Sequence, residues 1–191
     1  MKRSKKKLGV ALLLAAVLVS VCGCASGGTV AADPAMLEQL KELRDIGQID
    51  GPDPTASKVQ EIDQTVEEQG ITLRVRQVYG DEQVLCVLYD ITYPESIDPQ
   101  KDQGILPNQV TLQEEGADKQ APGGAVQPLE RDGQTVTYLS EFLRDKDTWG
   151  DGKLTFSINY LQWETGDAPV PVSDASFTLT WSQNLETPAE A

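Results

Sequence analysis

The sequence predicts an all-β domain, a β-sandwich of seven to eight short strands over residues 58–184. Three observations carry this. From Lys58 onward apolar residues recur with a period of two, the mark of strands with one buried face. Seven or eight such runs fall within roughly 125 residues, the density of a two-sheet sandwich. Ahead of them the pattern differs: a basic tip and apolar run, then a short stretch of helical period.

The tip carries Lys2, Arg3, Lys5, Lys6 and Lys7, and the apolar run extends from Leu8 to Val21. This is the plan of a secretory signal. The run is too short for a membrane-spanning helix, which takes about 20 apolar residues. It ends in Val21-Cys22-Gly23-Cys24, and this ending resembles a bacterial lipoprotein signal. The resemblance implies cleavage after residue 23 and a diacylglycerol on Cys24. Cys22 suits that role less well, because branched Val21 precedes it. A single acyl chain holds marginally, at about 0.8 kcal/mol per buried methylene, so stable anchoring takes two or more.

Removing residues 1–23 takes away five of the 16 basic residues and none of the 30 acidic ones. Eleven basic against 30 acidic residues leave a net charge of −19 over 168 residues. Phosphate polymers are repelled by such a surface, which excludes nucleic acid as a partner. Anionic lipid headgroups are repelled too, so the acyl chains and not the protein surface must hold the domain to a bilayer. With Cys22 removed and Cys24 acylated, Cys86 is the remaining thiol and no intrachain disulfide can form. Cys86 lies in Val84-Leu85-Cys86-Val87-Leu88-Tyr89, where it reads as a small buried hydrophobe.

Residues 24–57 are expected to form a tether and a short amphipathic helix. Ala25-Ser26-Gly27-Gly28-Thr29 is flexible. Asp33-Pro34 has the form of a cap and first helical residue. Met36, Leu37, Leu40 and Leu43 follow at helical spacing, with weak docking of the Leu40/Leu43 stripe expected and Gly47 as the stop. Gly51-Pro52-Asp53-Pro54 marks the boundary. The strands expected beyond it are a loose first one at Val59–Asp63, then one at Ile71–Arg76. Gly80-Asp81 turns the chain into Val84–Tyr93. Val110 and Leu112 mark the next strand, and Asp132-Gly133 signals a hairpin into 134–142. Leu154–Tyr160 and Phe177–Trp181 complete the set, and residues 185–191 read as a polar, disordered tail.

The run Ile62-Asp63-Gln64-Thr65-Val66-Glu67-Glu68-Gln69-Gly70-Ile71-Thr72-Leu73-Arg74-Val75 resembles the opening of an Ig-like domain of unknown function. That domain occurs outside the membrane in Gram-positive anti-sigma-factor-like proteins and related lipoproteins. The Val84–Thr92 and Gly152–Tyr160 strands are similar to it as well. The resemblance implies an Ig-like sandwich and brings no catalytic residues. Such relatives carry a transmembrane helix that a cleaved lipoprotein lacks, so direct sigma-factor binding is not implied.

The chain has no histidine, which removes Ser-His-Asp and Cys-His catalysis and most zinc and copper sites. One loop combines acids with glycine and an aromatic: Asp145-Lys146-Asp147-Thr148-Trp149-Gly150-Asp151-Gly152. Asp145, Asp147 and Asp151 could surround a hard cation. Against a calcium loop of the helix-flanked type, Trp149 and Phe156 occupy ligand positions and Lys146 intrudes; a polar connection is the simpler reading. Trp149 and Trp163 could stack on a sugar or peptide, but capping one end of the core is the favoured reading, while Trp181, in phase with Phe177 and Leu179, belongs to the core.

The function expected is therefore non-catalytic: a membrane-anchored, extracytoplasmic binding or interaction module. Its partners would be the bilayer, through acylated Cys24, and an envelope protein or glycan met by Trp149, Asp145, Asp147 and Asp151. No cofactor and no metal are expected. A structural spacer and a calcium-binding module are the alternatives.

Overall fold

A computed structural model describes residues 31–45, 47, 58–81, 83–101, 104–115, 121, 123–143, 152–163 and 170–183. The helix forms where its cap predicts, as α1 (Pro34–Asp45). Asp33 Oδ1 accepts a hydrogen bond from the Met36 amide at 3.3 Å, satisfying one of the amides a helix start leaves open. Gly47 follows at φ 70°, the left-handed position that ends many helices.

A five-stranded antiparallel sheet has the order β1 (Lys58–Glu68), β2 (Ile71–Gly80), β3 (Val84–Thr92), β7 (Thr135–Leu143), β6 (Gly123–Asp132). Facing it are β4 (Ile105–Asn108), β9 (Tyr160–Trp163) and β10 (Val170–Ser173) in one three-stranded sheet. The other three-stranded sheet holds β5 (Thr111–Glu114), β8 (Lys153–Ile158) and β11 (Phe177–Ser182). These two share three chain paths, each interrupted once: at Gln109-Val110, at Asn159 and at Asp174–Ser176. Counted by path, the described residues form a sandwich of eight strands, five against three, Ig-like in its two antiparallel layers. The crease is held by side chains. Asn159 Nδ2 donates to Gln109 Oε1 at 2.8 Å, Gln109 sits at φ 48°, and the Ala175 amide donates to Ser173 Oγ at 3.0 Å.

Three expectations need correction. The Ile105–Asn108 and Val170–Ser173 strands were not expected; their prolines, Pro107 and Pro171, lie in edge strands, where a missing N–H costs no ladder bond. Gly123-Gly124, read as loop, begins β6, which reaches its register with β7 through a bulge between Gly123 and Val126. Gly80 ends a strand instead of making the turn. It lies so near the start of β3 that a Cβ there would collide with the Val84 carbonyl. The turn is made by Asp81, whose carboxylate accepts from the amides of Gln83 (2.7 Å) and Val84 (2.9 Å).

The main core lies between the layers and is built by Leu73, Leu85, Tyr89, Tyr138, Phe142, Phe156 and Trp181, among others. Tyr89 and Tyr138 stack with ring centroids 5.6 Å apart, and Phe156 lies 5.2 Å from Tyr89. A second apolar cluster lies on the outer face of the five-stranded sheet, where Met36 and Leu40 of α1 pack with Val59, Tyr79, Val84, Cys86, Leu88 and Leu139. The helix is thus fully docked, with Met36 0% and Leu40 4% exposed while Leu37 is 38% exposed.

Candidate functional site

Cys24 and the loop residues Asp145, Asp147, Trp149 and Asp151 all lie outside the described residues. What is defined is the ground on which the loop stands. Its described flanks are Leu143, exposed at the end of β7 in the five-stranded sheet, and Gly152, just ahead of β8 in the three-stranded layer. The Gly152 amide donates to Glu114 Oε1 at 3.2 Å, and the Gln183 amide donates to the Gly152 carbonyl at 3.1 Å. Near this anchorage two buried polar atoms have no hydrogen-bond partner, the Trp181 indole N–H and the Gln183 side-chain oxygen.

The two other tryptophans weighed from sequence are placed plainly. Trp181 is 5% exposed in the core. Trp163 packs against the core from β9, and Lys101 Nζ lies 5.9 Å from its ring centroid. Trp163 therefore caps the sandwich, and its ring face already carries a cation.

Two cavities of about 300 Å³ open on the described surface. One lies where the β6 bulge parts from the crease, lined by Gln109, Val110, Val126 and Phe142 among others. The other lies beside the first turn of α1, with Met36, Leu88 and Leu129 below and Asp33, Glu38 and Arg76 around it. Arg76 joins the Asp33 carboxylate and also reaches Asp90 at 3.6 Å. Asp90 accepts in turn from Thr137 Oγ1 at 2.8 Å. Sequence reasoning passed over Arg76. Its one signal was an arginine on the polar face of a strand; the Asp33 it meets lies 43 residues away in sequence, and such long-range pairs leave no local period.

The strongly shifted groups are structural. Burial raises the Tyr89 and Tyr93 hydroxyls well above the usual range, and it pushes Tyr138 up to about 12 against the opposing Tyr93 hydrogen bond and Arg131 charge. Tyr138 donates to the Ile105 carbonyl at 2.6 Å, so its oxygen accepts from Tyr93 at 3.1 Å. Ser140 Oγ pairs with Tyr89 at 2.9 Å inside the core. Burial, with the charges of Glu141 and Asp81, raises the Cys86 thiol far above its ordinary value. Such a thiol is inert. Among the described residues, no group of three or more metal-ligating side chains could hold an ion, and no helix is long and apolar enough to cross a membrane.

A solved structure described as "the crystal structure of the conserved domain protein from Bacillus anthracis" is similar at 11% identity and a TM-score of 0.45. The alignment covers 67% of this chain and 49% of that one, so the chain spans about half the length of that protein. No curated protein matches the chain. Residues 1–92, from the basic tip through the end of β3, are similar to the domain of unknown function DUF4179.

Proposed function

We propose that this chain is a membrane-anchored, extracytoplasmic, non-catalytic binding or interaction module of the cell envelope, held by a lipid on Cys24. The observation that carries the reading is the ending Val21-Cys22-Gly23-Cys24 behind a basic tip and a short apolar run. Residues 24–30 would link the lipid to the docked segment at Ala31, a reach of about 25 Å at full extension. The sandwich would then stand close to the bilayer. Kinship with the Ig-like extracytoplasmic domain of anti-sigma-factor-like proteins is part of this proposal. It rests on the resemblance of Ile62–Val75, and DUF4179, similar over a span that includes this run, is a domain of unknown function.

The non-catalytic reading rests on the absence of histidine and, among the described residues, on strongly shifted groups that lie in the buried core. Within it, the loop bearing Asp145, Asp147, Trp149 and Asp151 is the proposed contact with an envelope protein or glycan. A spacer is the second reading, and the sheet edges favour it. Pro107, Pro128 and Pro171 sit in β4, β6 and β10, and β1 is bulged between Glu61 and Gln64. Edges treated this way resist added strands, so the β1, β4, β6 and β10 edges are poor places for a partner strand.

Intact-mass analysis of the membrane fraction tests the anchor. A chain beginning at acylated Cys24, released by Cys24→Ala, is expected; a chain beginning at Met1 and retained after that substitution overturns it. Crosslinking in intact cells then separates binder from spacer: Trp149→Ala should lose partners that the wild type captures. Identical capture from both, or none, favours the spacer.

A further inference from the structure

Helix α1 covers an apolar strip of Val59, Tyr79, Val84, Cys86, Leu88 and Leu139, and the described side chains it brings are Met36 and Leu40, with Ala32 just ahead. A helix of 12 residues is marginal alone in water, so α1 is helical because it is docked. Among the described side chains, the main core between the layers draws none from α1.

Polar contacts grip the helix at its first turn and lead-in. Arg76 joins Asp33, the same carboxylate that caps the helix. Next to it, Gln77 Oε1 accepts from the Asp33 amide at 3.0 Å and Gln77 Nε2 donates to the Ala31 carbonyl at 3.0 Å. Two neighbouring residues of β2 therefore hold the lead-in and the cap together. They do so at the end where the preceding chain arrives. We propose that α1 and its lead-in form a releasable strap, which undocks as one unit from an intact sandwich once the Arg76–Asp33 and Gln77 clamp gives way. A pull along the preceding chain meets this clamp first. Opening bares the apolar strip and gives the five-stranded sheet a second, uncovered state. The strap does not rest on the binding-module reading; a lipid on Cys24 would add load to it and nothing else.

Cys86 reports the opening. It is 0% exposed beneath the helix, and its thiol is held protonated by burial, so modification requires undocking or unfolding. The experiment uses the full chain in detergent with a small maleimide, the Cys86 adduct being located by peptide mass mapping so that Cys22 and Cys24 do not interfere. Local opening predicts a labelling rate nearly independent of low guanidinium concentrations. Arg76→Gln should raise that rate about tenfold, the scale of a lost charge-assisted hydrogen bond, and leave the sandwich unfolding midpoint by tryptophan fluorescence unchanged. Arg74→Gln, which removes the exposed pair with Asp63 on the same strand, should leave the rate unaltered. Labelling at the global unfolding rate, with its full denaturant dependence, overturns the strap. So does local labelling that Arg76→Gln fails to accelerate. If Arg76→Gln does not fold, hydrogen exchange on the wild type decides. Amides of α1 exchanging ahead of those of β3 support the strap, and exchange of both together overturns it.

Discussion

The five-stranded sheet is buried on both faces where α1 covers it and the three-stranded layer on one, and their sequences differ accordingly. In β3, the six residues Val84–Tyr89 are all buried, alternately toward the core and toward α1. In β11 the alternation is complete, with Phe177, Leu179 and Trp181 inward and Thr178, Thr180 and Ser182 exposed. The outer face of β8 matches, and Thr155 and Ser157 meet Thr180 and Thr178 through hydroxyl contacts of 3.1 and 3.2 Å. Threonine suits a pleated, solvated surface. An unbroken apolar run in an antiparallel strand therefore signals a cover on the second face. Here the cover is the helix.

The contrast predicts where substitutions cost most. Phe156 fills the space between the layers and meets Phe142 edge-on at 6.2 Å as well as Tyr89. Phe156→Ala should lower unfolding stability by about 3–5 kcal/mol in guanidinium titration; a loss under about 1 kcal/mol would mean the two layers are not packed as one core. The tyrosines between the layers give the next effect. Their folded pKa values are raised, so the folded state keeps protons that the unfolded chain releases near pH 10. Stability should hold below pH 10. Above it, stability should fall by up to about 1.4 kcal/mol per pH unit for each tyrosine until the folded pKa, about 12 for Tyr138, is passed. Unfolding midpoints measured from pH 8 to 12 check this, and Tyr138→Phe should make the decline shallower. A flat profile would remove the buried tyrosines from the stability of the core.

Beneath the helix the cost should be smaller and more local. Leu40→Ala removes apolar volume from a cluster that α1 enters with few side chains. Its effect on the sandwich is bounded by the free energy of docking, below the 2–5 kcal/mol of a core Leu→Ala. Helical circular dichroism should fall while the tryptophan-fluorescence midpoint moves less than for Phe156→Ala. Equal shifts in both signals would make helix and sandwich one cooperative unit.

How much of this was legible follows from the same contrast. One-sided strands such as Lys153–Ile158 and Phe177–Ser182 announce themselves by period. The Asp132-Gly133 turn did too, with Gly133 at φ 56° as such hairpins require. The eight paths were countable from sequence, but the crease that divides three of them was not, because Gln109 and Asn159 act through contacts across strands. Pro107 and Pro171 concealed edge strands by the very property that suits them to edges. Docking of α1 was under-read: its own stripe looked thin, while the stronger signal lay some forty residues away in the uninterrupted Val84–Tyr89 run. Of the site, residues 145, 147, 149 and 151 were chosen by composition and fall outside the described residues, whereas the Arg76 network links positions 33, 76 and 90 and leaves no trace at any fixed spacing.

The smallest expected effect tests whether the three-stranded layer is truly open on its outer side. Thr155 lies between Gln113 and Thr180 in the sheet register, and its hydroxyl meets Thr180 in an exposed position. Valine keeps the branched shape the strand favours and gives up a hydroxyl contact that water can replace. Thr155→Val should therefore change stability by less than about 0.5 kcal/mol in either direction. The mirror substitution, Leu88→Thr, places the same hydroxyl under α1, where Leu88 is 1% exposed. Without a partner there, a buried hydroxyl costs about 1–3 kcal/mol. The difference between the two in guanidinium unfolding measures what the helix adds by covering one sheet. If Thr155→Val proves as costly as Leu88→Thr, the threonine face is covered in solution, and a matching rise in apparent mass by size-exclusion chromatography would identify a second copy of the chain as the cover.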